Sequence, residues 1–280
     1  MAVATRVSSS WMAAGINVFI ANADIKSDKV VSPKKRFPVK IDTDNDCLGV
    51  DPNHPLADKF DVLVYKDGLF SSLPKEFFQD WMGRPLSVGT MHLGKCSGFG
   101  IGSIAKYDNG AQSLRVGRFV SGGLRIKFLL NGQHNIRTMS SSIIAFYCDG
   151  VNMDSMPQYG DSVIKNDVWI GDEVMMLGGG QIENGCVIGA RSLLPPNFKS
   201  EPYGIYAGSP ARLIRFRFSE KIIAALEEIA WWDQPDLANW LRLVQPSFSV
   251  DFTEDEAKTL DILEQVKAQK TSWLKIHQHL

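Results

Sequence analysis

Histidine is the residue type in this chain best suited to move a proton at neutral pH, because the pKa of imidazole lies near the working pH. The chain contains five histidines. His277 and His279 lie in the C-terminal tail and His54 lies in a polar loop, whereas His134 lies in "FLLNGQHNIRT", where a regular repeat gives way to an irregular stretch. A neutral imidazole there can act as a general base that activates a weak nucleophile such as a hydroxyl group. His134 is therefore the candidate catalytic residue.

Neither the histidines nor the cysteines predict a metal site. A catalytic zinc site takes three protein ligands, and only His92 and His134 lie near the repeats. Widely scattered cysteines without a Cys-x-x-Cys pair favour reduced, mostly buried thiols over a disulfide framework or a zinc site. The four cysteines are Cys47, Cys96, Cys148 and Cys186. We expect no metal.

The composition is that of an ordinary globular protein. The 280 residues are 44% hydrophobic and 22% charged, which excludes a disordered chain. A formal net charge of −1 gives no basic field for nucleic acid or an anionic membrane. No apolar run approaches the ~20 residues that span a bilayer. The stretch "WMAAGINVFIANA" (11–23) faintly resembles a signal peptide, but Asn17 interrupts it, and we expect a cytoplasmic protein.

An aliphatic side chain returns at every sixth position between Val163 and Leu194. These positions are Ile164, Ile170, Met176, Ile182, Ile188 and Leu194, and the residues four positions after the first five are Val168, Val174, Gly180, Cys186 and Ser192, all apolar or small. A helix would repeat its apolar positions at three and four residues, and an ordinary strand at two. Six is the period of the hexapeptide β-helix, in which each hexad forms one short strand and three hexads close a triangular coil. The pattern predicts a mainly β fold.

The chain divides into three predicted regions. Residues 1–90 lack the six-residue period and are expected to form a small mixed α/β extension, with a short helix in "LPKEFFQDWMG" (73–83). Residues 91–216 carry the repeats. Two aliphatic–glycine pairs, Ile101-Gly102 and Val116-Gly117, look like hexad starts, and 136–161 breaks the register as a protruding loop.

Residues 217–280 are expected to be helical. In "SEKIIAALEEIAWW" the apolar residues lie on one helical face, with Ser219 as a plausible N-cap. A second helix follows Asp236. Thr253 and Glu256 have the spacing of a capping box before a third helix that ends near Lys270.

Several motifs in fixed order resemble the hexapeptide-repeat acyltransferases. They are "GDSVIKNDVWIGDEVMMLGGGQIENGCVIGARSLL", "YGIYAGSPARLIRFRFSE" and "AWWDQP", within residues 95–235. They are most similar to the xenobiotic branch, which acetylates chloramphenicol or streptogramins and has close relatives that O-acetylate sugars and polysaccharides. The resemblance implies a left-handed parallel β-helix, a homotrimer with sites between subunits, and acetyl coenzyme A as acyl donor.

The resemblance also assigns a role to His134. The family has an Asn-Gly pair closely followed by a histidine that acts as general base, and Asn131-Gly132 match that pair. Only Gln133 separates Gly132 from His134, whereas many members of the branch have two residues there.

The remaining site residues are assigned because their positions match those of functional residues in the family. Coenzyme A is expected in the groove between neighbouring subunits, and the predicted contacts are Gly179, Gly180, Ala190, Arg191, Ser192, Arg212, Arg215 and Arg217. The glycines are equally suited to turning the corners of the coil, and the arginines to a solvated edge. The predicted acceptor contacts are Asn131, Asn135, Tyr159 and Trp169, with subunit packing as the alternative for Trp169.

We therefore predict an acetyl-coenzyme A-dependent O-acetyltransferase that acts on a hydroxyl of a sugar, polysaccharide or related acceptor. Three alternatives remain open at this point. The acceptor is an antibiotic of the streptogramin or chloramphenicol type, the reaction is N-acetylation of an amino sugar nucleotide, or the protein is a trimeric scaffold without catalysis. The loops that would contact the acceptor lie outside the repeats, so the repeat pattern does not indicate which acceptor binds.

Overall fold

The computed structural model describes residues 30–33, 37, 39–80, 82–84, 89–107, 112–150 and 157–277. The stretch 11–23 with the faint signal-peptide pattern lies outside these residues. In chain order the strands are β1 (Lys40–Thr43), β2 (Cys47–Val50), β3 (Phe60–Tyr65), β4 (Phe70–Pro74), β5 (Phe78–Gln79), β6 (Thr90–Leu93), β7 (Ile104–Lys106), β8 (Ser113–Val116), β9 (Ser121–Gly122), β10 (Lys127–Leu129), β11 (Ser162–Ile164), β12 (Trp169–Ile170), β13 (Met175–Leu177), β14 (Gln181–Ile182), β15 (Val187–Ile188), β16 (Leu193–Leu194), β17 (Gly204–Gly208) and β18 (Ala211–Phe216).

Fifteen of the eighteen strands in the described residues form three sheets of five strands each. Sheet 1 has the order β1-β6-β8-β11-β14, sheet 2 the order β9-β12-β15-β17-β18, and sheet 3 the order β5-β7-β10-β13-β16. Neighbours pair in parallel except for β17 and β18. From β8 to β16 successive strands visit sheets 1, 2 and 3 in turn, so each circuit stacks on the one before it. The mainly β class is confirmed, and the topology is consistent with a parallel β-helix.

The six-residue period marks the interior of this body. Each of the six aliphatic residues from Ile164 to Leu194 is at most 1% exposed. The second set is buried as well, with Val168, Val174, Cys186 and Ser192 at most 1% exposed and Gly180 also buried. Stacking equivalent interior positions from circuit to circuit removes their apolar surface from water, which is the main force that holds such a body together.

The sheets extend across the predicted boundary at residue 91. Strand β1 pairs in parallel with β6 in sheet 1, and β5 pairs in parallel with β7 in sheet 3. Strands β2, β3 and β4 form a separate antiparallel sheet. The N-terminal segment from Lys40 onwards therefore adds strands to the repeat body.

The helix predicted in 73–83 is wrong. Pro74 ends β4, Glu76 has a left-handed φ of 64°, and Phe78–Gln79 is a strand. Phe77 stacks on Phe99 with ring centroids 5.5 Å apart, and Phe78 meets the edge of Phe77 at 5.2 Å. Burial of both adjacent rings in the core outweighed the local helical pattern.

The hexad start at Ile101-Gly102 is also wrong. Ile101 is 51% exposed in a turn, and the interior is filled by Phe99 and Ala105 at 2% and 0%. Val116 at the other pair ends β8 and is fully buried.

Three α-helices lie in the part of the chain described after residue 217: α1 (Glu220–Ile229), α2 (Leu237–Val244) and α3 (Glu256–His277). Two of the helix predictions are confirmed, and α3 is longer than the third prediction. Ser219 occupies the N-cap position of α1 without a side-chain capping bond. Asp255, not Thr253, caps α3, because its Oδ1 accepts the backbone N–H of Lys258 at 3.0 Å. No helix in the described ranges is long and apolar enough to cross a membrane.

Aromatic packing and one ion-pair cluster join the helices to the sheets. The Trp231 ring lies 4.6 Å from Phe119, centroid to centroid. Arg118 donates to Asp44 from Nη2 at 2.9 Å and from Nε at 3.1 Å, and its Nη1 donates to the carbonyl of Trp232 at 3.1 Å and to Asp233 at 2.9 Å. A single guanidinium thus links the N-terminal segment to the chain that follows α1.

This cluster predicts acid sensitivity. Burial alone would raise the pKa of Asp44, but the hydrogen bonds and charge of Arg118 outweigh it and hold the pKa below its ordinary value. A lowered pKa stabilises the fold above the unfolded-state value of about 4, and that contribution is lost as pH falls through the folded-state value. We expect Asp44→Asn to lower the free energy of unfolding at pH 7 by about 1.5–3 kcal/mol. Its stability should fall less steeply than that of the wild type below about pH 4. Urea unfolding at several pH values measures both effects.

Asp58→Asn is the matched control, because the Asp58 side chain is 70% exposed beside an equally exposed lysine. It should follow the wild-type curve. Equal acid slopes for Asp44→Asn and the wild type would show that the Arg118 cluster does not set acid stability.

Candidate active site

His134 lies on the exposed surface just after β10, with one defined hydrogen bond. Its Nδ1 lies 2.7 Å from the carbonyl oxygen of Ser141. A carbonyl oxygen can only accept, so Nδ1 carries the proton and donates it. In the neutral ring Nε2 then holds the lone pair. A backbone carbonyl that fixes the tautomer and orientation of an imidazole prepares it to take a proton at Nε2.

Local hydrogen bonds turn the chain back so that Ser141 reaches His134. The side chain of Asn135 accepts the backbone N–H of Arg137 at 2.9 Å. Thr138 Oγ1 donates to the carbonyl of Ser140 at 2.8 Å, and the hydroxyl of Ser140 accepts the N–H of Ser142 at 3.1 Å. Short polar side chains that bond their own backbone favour such turns. Asn135 therefore shapes the loop that positions the candidate base.

The loop leaves and re-enters the body at the corner that follows sheet 3, which we call corner 3–1. Asn131, only 5% exposed, donates from Nδ2 to the side-chain oxygen of Gln158 at 2.7 Å. The Asn131 side-chain oxygen has no hydrogen-bond partner among the described residues. Asn131 thus ties the start of the excursion to its end, while residues 151–156 of the predicted loop 136–161 lie outside the description.

Glycines at the same corner let consecutive circuits approach closely. A Cβ on Gly178 would lie 2.1 Å from the carbonyl oxygen of Leu130 and 3.0 Å from Cβ of Tyr159. Gly179 has a positive φ of 74°, and a Cβ there would meet the Asn197 side chain. Tyr159 is half-buried against these glycines. Corner 3–1 therefore brings together Asn131, Tyr159 and Gly179, and His134 follows Asn131 by three residues.

The other predicted coenzyme-binding residues on the repeats lie at a different corner or in the interior of the body. Gly180 is interior, since a Cβ there would meet the Met176 side chain at 2.8 Å. Ala190 and Arg191 form the turn between β15 and β16, at the opposite edge of sheet 3, which we call corner 2–3. Arg191 is exposed and pairs with Glu173 at 3.0 Å. The Ser192 hydroxyl is buried, donating to Gly189 at 2.6 Å and accepting the N–H of Gly208 at 3.1 Å.

Arg212 and Arg215 lie on β18 and Arg217 follows it directly, and the three differ in availability. Arg212 and Arg215 are exposed, and within the described part of the chain their side chains bond to neighbouring carbonyls of their own strand, at 3.0 Å each. Arg217 donates from Nη1 to Asp167 at 3.1 Å and to the carbonyl of Gly185 at 2.8 Å. Two of the three can meet a phosphate without breaking a side-chain ion pair, whereas Arg217 is engaged inside the protein.

Trp169 lies on the outer face of sheet 2 and is 59% exposed. In the sheet it is paired with Ser121 of β9 on one side and Val187 of β15 on the other. Within one chain it does not join the residues of corner 3–1. Exposed apolar side chains continue along β18 at Leu213, Ile214 and Phe216.

Two polar groups at this site were not predicted, Ser141 and Gln158. The contact of His134 with Ser141 depends on the path of a turn, and that of Asn131 with Gln158 spans the whole excursion, so neither leaves a periodic signal. The described residues contain no group of three or more His, Cys, Asp or Glu side chains that could hold a metal ion. The geometry defines an oriented acid–base group on a body of parallel sheets.

Comparison with known proteins identifies the class. A chloramphenicol acetyltransferase from Escherichia coli is 41% identical over 130 residues, which cover 44% of this chain and 61% of that protein. A probable macrolide acetyltransferase from Lysinibacillus sphaericus is 35% identical over 133 residues, covering 45% of this chain and 73% of that protein. No protein-family model matches the chain. The chain belongs to the hexapeptide-repeat acyltransferases, in the branch that contains the chloramphenicol and macrolide acetyltransferases.

The similarity is partial in length. The chain spans about three fifths of the length of the Escherichia coli relative. A hexapeptide-repeat acetyltransferase from Vibrio cholerae, solved with acetyl coenzyme A, is 19% identical, with 50% of this chain and 64% of that chain covered and a TM-score of 0.33. A maltose O-acetyltransferase from Clostridium difficile is 19% identical, with 50% and 63% covered and a TM-score of 0.31. These structural overlaps add nothing to the fold already described from its strands.

Proposed function

We propose that this protein is an acetyl-coenzyme A-dependent O-acetyltransferase in which His134 is the general base. The acceptor is a hydroxyl of a sugar, polysaccharide or related molecule. The observation that supports the proposal most directly is the hydrogen bond from His134 Nδ1 to the carbonyl of Ser141, which leaves Nε2 free to accept a proton.

The reaction follows from that geometry. Nε2 of His134 takes the hydroxyl proton while the acceptor oxygen attacks the thioester carbonyl carbon. The imidazolium that forms keeps its Nδ1–H bond to Ser141, which stabilises the positive charge. When the carbon–sulfur bond breaks, the proton passes from Nε2 to the departing thiolate, and the products are an acetyl ester and free coenzyme A.

For the coenzyme we retain Gly179 at corner 3–1, Ala190 and Arg191 at corner 2–3, and Arg212 and Arg215 on β18. The exposed arginines supply charge for phosphates. We withdraw Gly180 and Ser192, because both are interior, and Arg217, because it is bound to Asp167 and lines a cavity beside the C-terminal helices.

We further propose a left-handed coil and a homotrimer whose sites lie between subunits. The apolar side chains of the excursion support association, since Ile136, Met139, Phe146 and Tyr147 are 64–105% exposed in the single chain. In a trimer Trp169 of one subunit can complete the acceptor site of another. A cytoplasmic location remains part of the same proposal.

A second candidate acceptor is an antibiotic hydroxyl. It is favoured by the names of the relatives, which are chloramphenicol and macrolide acetyltransferases at 35–41% identity. The transferred group and the base would be unchanged. Only the side chains that contact the acceptor would differ.

The experiment offers acetyl coenzyme A with one of three acceptor classes to the purified protein. The classes are sugars and polysaccharides, chloramphenicol with macrolides, and an amino sugar nucleotide. Mass spectrometry detects the added acetyl group, and alkaline hydroxylamine separates esters, which it cleaves, from amides. A sugar ester supports the leading proposal, an antibiotic ester the second candidate, and an amide overturns O-acetylation. Failure to bind coenzyme A would favour the non-catalytic scaffold.

A further inference from the structure

A cavity of about 310 Å³ lies between the edge of the sheets and the C-terminal helices. Its walls are mostly apolar and include Phe218, Leu226, Trp231, Phe248, Phe252 and Leu263. Five polar residues also line it, namely Asp167, Tyr203, Arg217, Ser247 and Asp251. Small-molecule binding sites typically have this composition, with apolar walls and a few convergent polar groups.

The polar residues have unused hydrogen-bonding capacity. Only Nη1 of Arg217 is engaged by described residues, with Asp167 and the carbonyl of Gly185, so the edge formed by Nε and Nη2 is free among them. The Arg217 guanidinium lies 4.9 Å from the Phe218 ring and 5.3 Å from the Tyr203 ring. Tyr203 is 1% exposed, and its hydroxyl has no partner within the described ranges. Leaving a buried hydroxyl unpaired costs about 1–3 kcal/mol, which a ligand can recover.

Both free groups can donate hydrogen bonds, the guanidinium edge only donates, and this selects the chemistry of the ligand. The parallel N–H groups of Nε and Nη2 form the fork that matches a carboxylate. The second acidic residue at the rim, Asp251, is exposed, and its Oδ1 accepts the N–H and hydroxyl of Thr253 at 2.8 and 2.6 Å. Burial raises the pKa of Asp167 despite the opposing charge of Arg217. Asp167 and Asp251 therefore repel an incoming anion less than two unpaired, ionised carboxylates would.

We propose that this cavity binds an aliphatic monocarboxylate, with its head on the free edge of Arg217 and the hydroxyl of Tyr203 and its chain among the aromatic walls. The site is separate from the acetyl-transfer site. Asp167, Arg217 and Tyr203 lie where the chain passes from sheet 1 to sheet 2, whereas His134 follows sheet 3. The proposal does not depend on the proposed enzymatic function.

Calorimetric titration of the full chain with octanoate, octan-1-ol and octylamine tests the head group. We expect octanoate to bind about tenfold or more tighter than octanol, because hydrogen bonds to a charged group are worth about 1.5–3 kcal/mol. Octylamine should bind worst. Equal affinities for octanoate and octanol would overturn the assignment of a carboxylate.

Two variants locate the site. Tyr203→Phe should weaken octanoate binding about five- to tenfold and leave the Tm unchanged or higher, since it removes an unpaired hydroxyl. Ser247 is half-buried and lines the cavity. Ser247→Phe should fill the cavity and abolish octanoate binding. Ser249→Phe is the control, at an exposed position of the same short 3₁₀ helix (Gln245–Ser249) that does not line the cavity. Octanoate binding that survives Ser247→Phe, or no binding to the wild type at millimolar octanoate, would refute the proposal.

Discussion

His134→Ala is expected to lower the rate of acetyl transfer to a hydroxyl by about 10²–10⁴-fold, the usual contribution of a positioned general base. Ser141, which contacts His134 among the described residues, does so through a backbone carbonyl, and a carbonyl cannot take a proton in place of Nε2. Affinity for acetyl coenzyme A should be unchanged, since the imidazole is not among the groups proposed to hold it. Steady-state kinetics with the best acceptor, together with calorimetry of coenzyme binding, measure the two effects separately.

His92→Ala is the matched control. His92 lies on β6 and faces Asp42, with its Nδ1 3.3 Å from the carboxylate, away from corner 3–1. Its removal should leave the transfer rate within about twofold of the wild type, as for a residue that takes no part in the proton transfer. A His134→Ala protein that retains wild-type turnover with a hydroxyl acceptor would remove His134 from the mechanism.

Gly178→Ala is expected to destabilise the protein by about 3 kcal/mol, the upper part of the range for overpacking. The new methyl group would lie 2.1 Å from the carbonyl oxygen of Leu130, and this obstacle is backbone that is held in the preceding circuit. The Tm should fall by roughly 6–12 °C. Since Leu130 precedes Asn131, separating the two circuits should also displace the loop that carries His134. Scanning calorimetry and the transfer assay report both effects.

Gly160→Ala is the control in the same region. Nothing lies within 4 Å of a Cβ at Gly160, and its φ lies outside the left-handed range. Its stability should stay within about 0.5 kcal/mol of the wild type. If Gly178→Ala were as stable as Gly160→Ala, the close contact of circuits at corner 3–1 would be wrong.

The interior of the repeat body could be predicted from sequence because the period follows from its geometry. Every aliphatic residue at the six-residue spacing from Ile164 to Leu194 proved buried. The same pattern already placed Gly180 and Ser192 among the small interior positions. Their expected contact with the coenzyme rests on family position alone. Their burial agrees with the repeat pattern.

The failures have a different physical cause. The helix predicted over 73–83 was lost to tertiary burial of Phe77 and Phe78, which no local pattern reveals. The hydrogen-bond partner of His134 could not be predicted, because it is a backbone carbonyl seven residues along the chain that a turn brings back to the imidazole. Arg217 looked like an exposed cation, but its partner Asp167 lies fifty residues earlier in sequence and meets it only when the circuits stack. Contacts between circuits are visible only in the folded chain.

The central claim is transfer of an acetyl group from the thioester to a hydroxyl, and release of free coenzyme A thiol measures it most directly. Thiol is followed with a chromogenic disulfide while wild-type protein and acetyl coenzyme A are incubated with and without each hydroxyl acceptor. Thiol release should depend on the acceptor and equal the acetyl ester formed, one for one. Thiol release that no sugar, polysaccharide or antibiotic hydroxyl accelerates would contradict it.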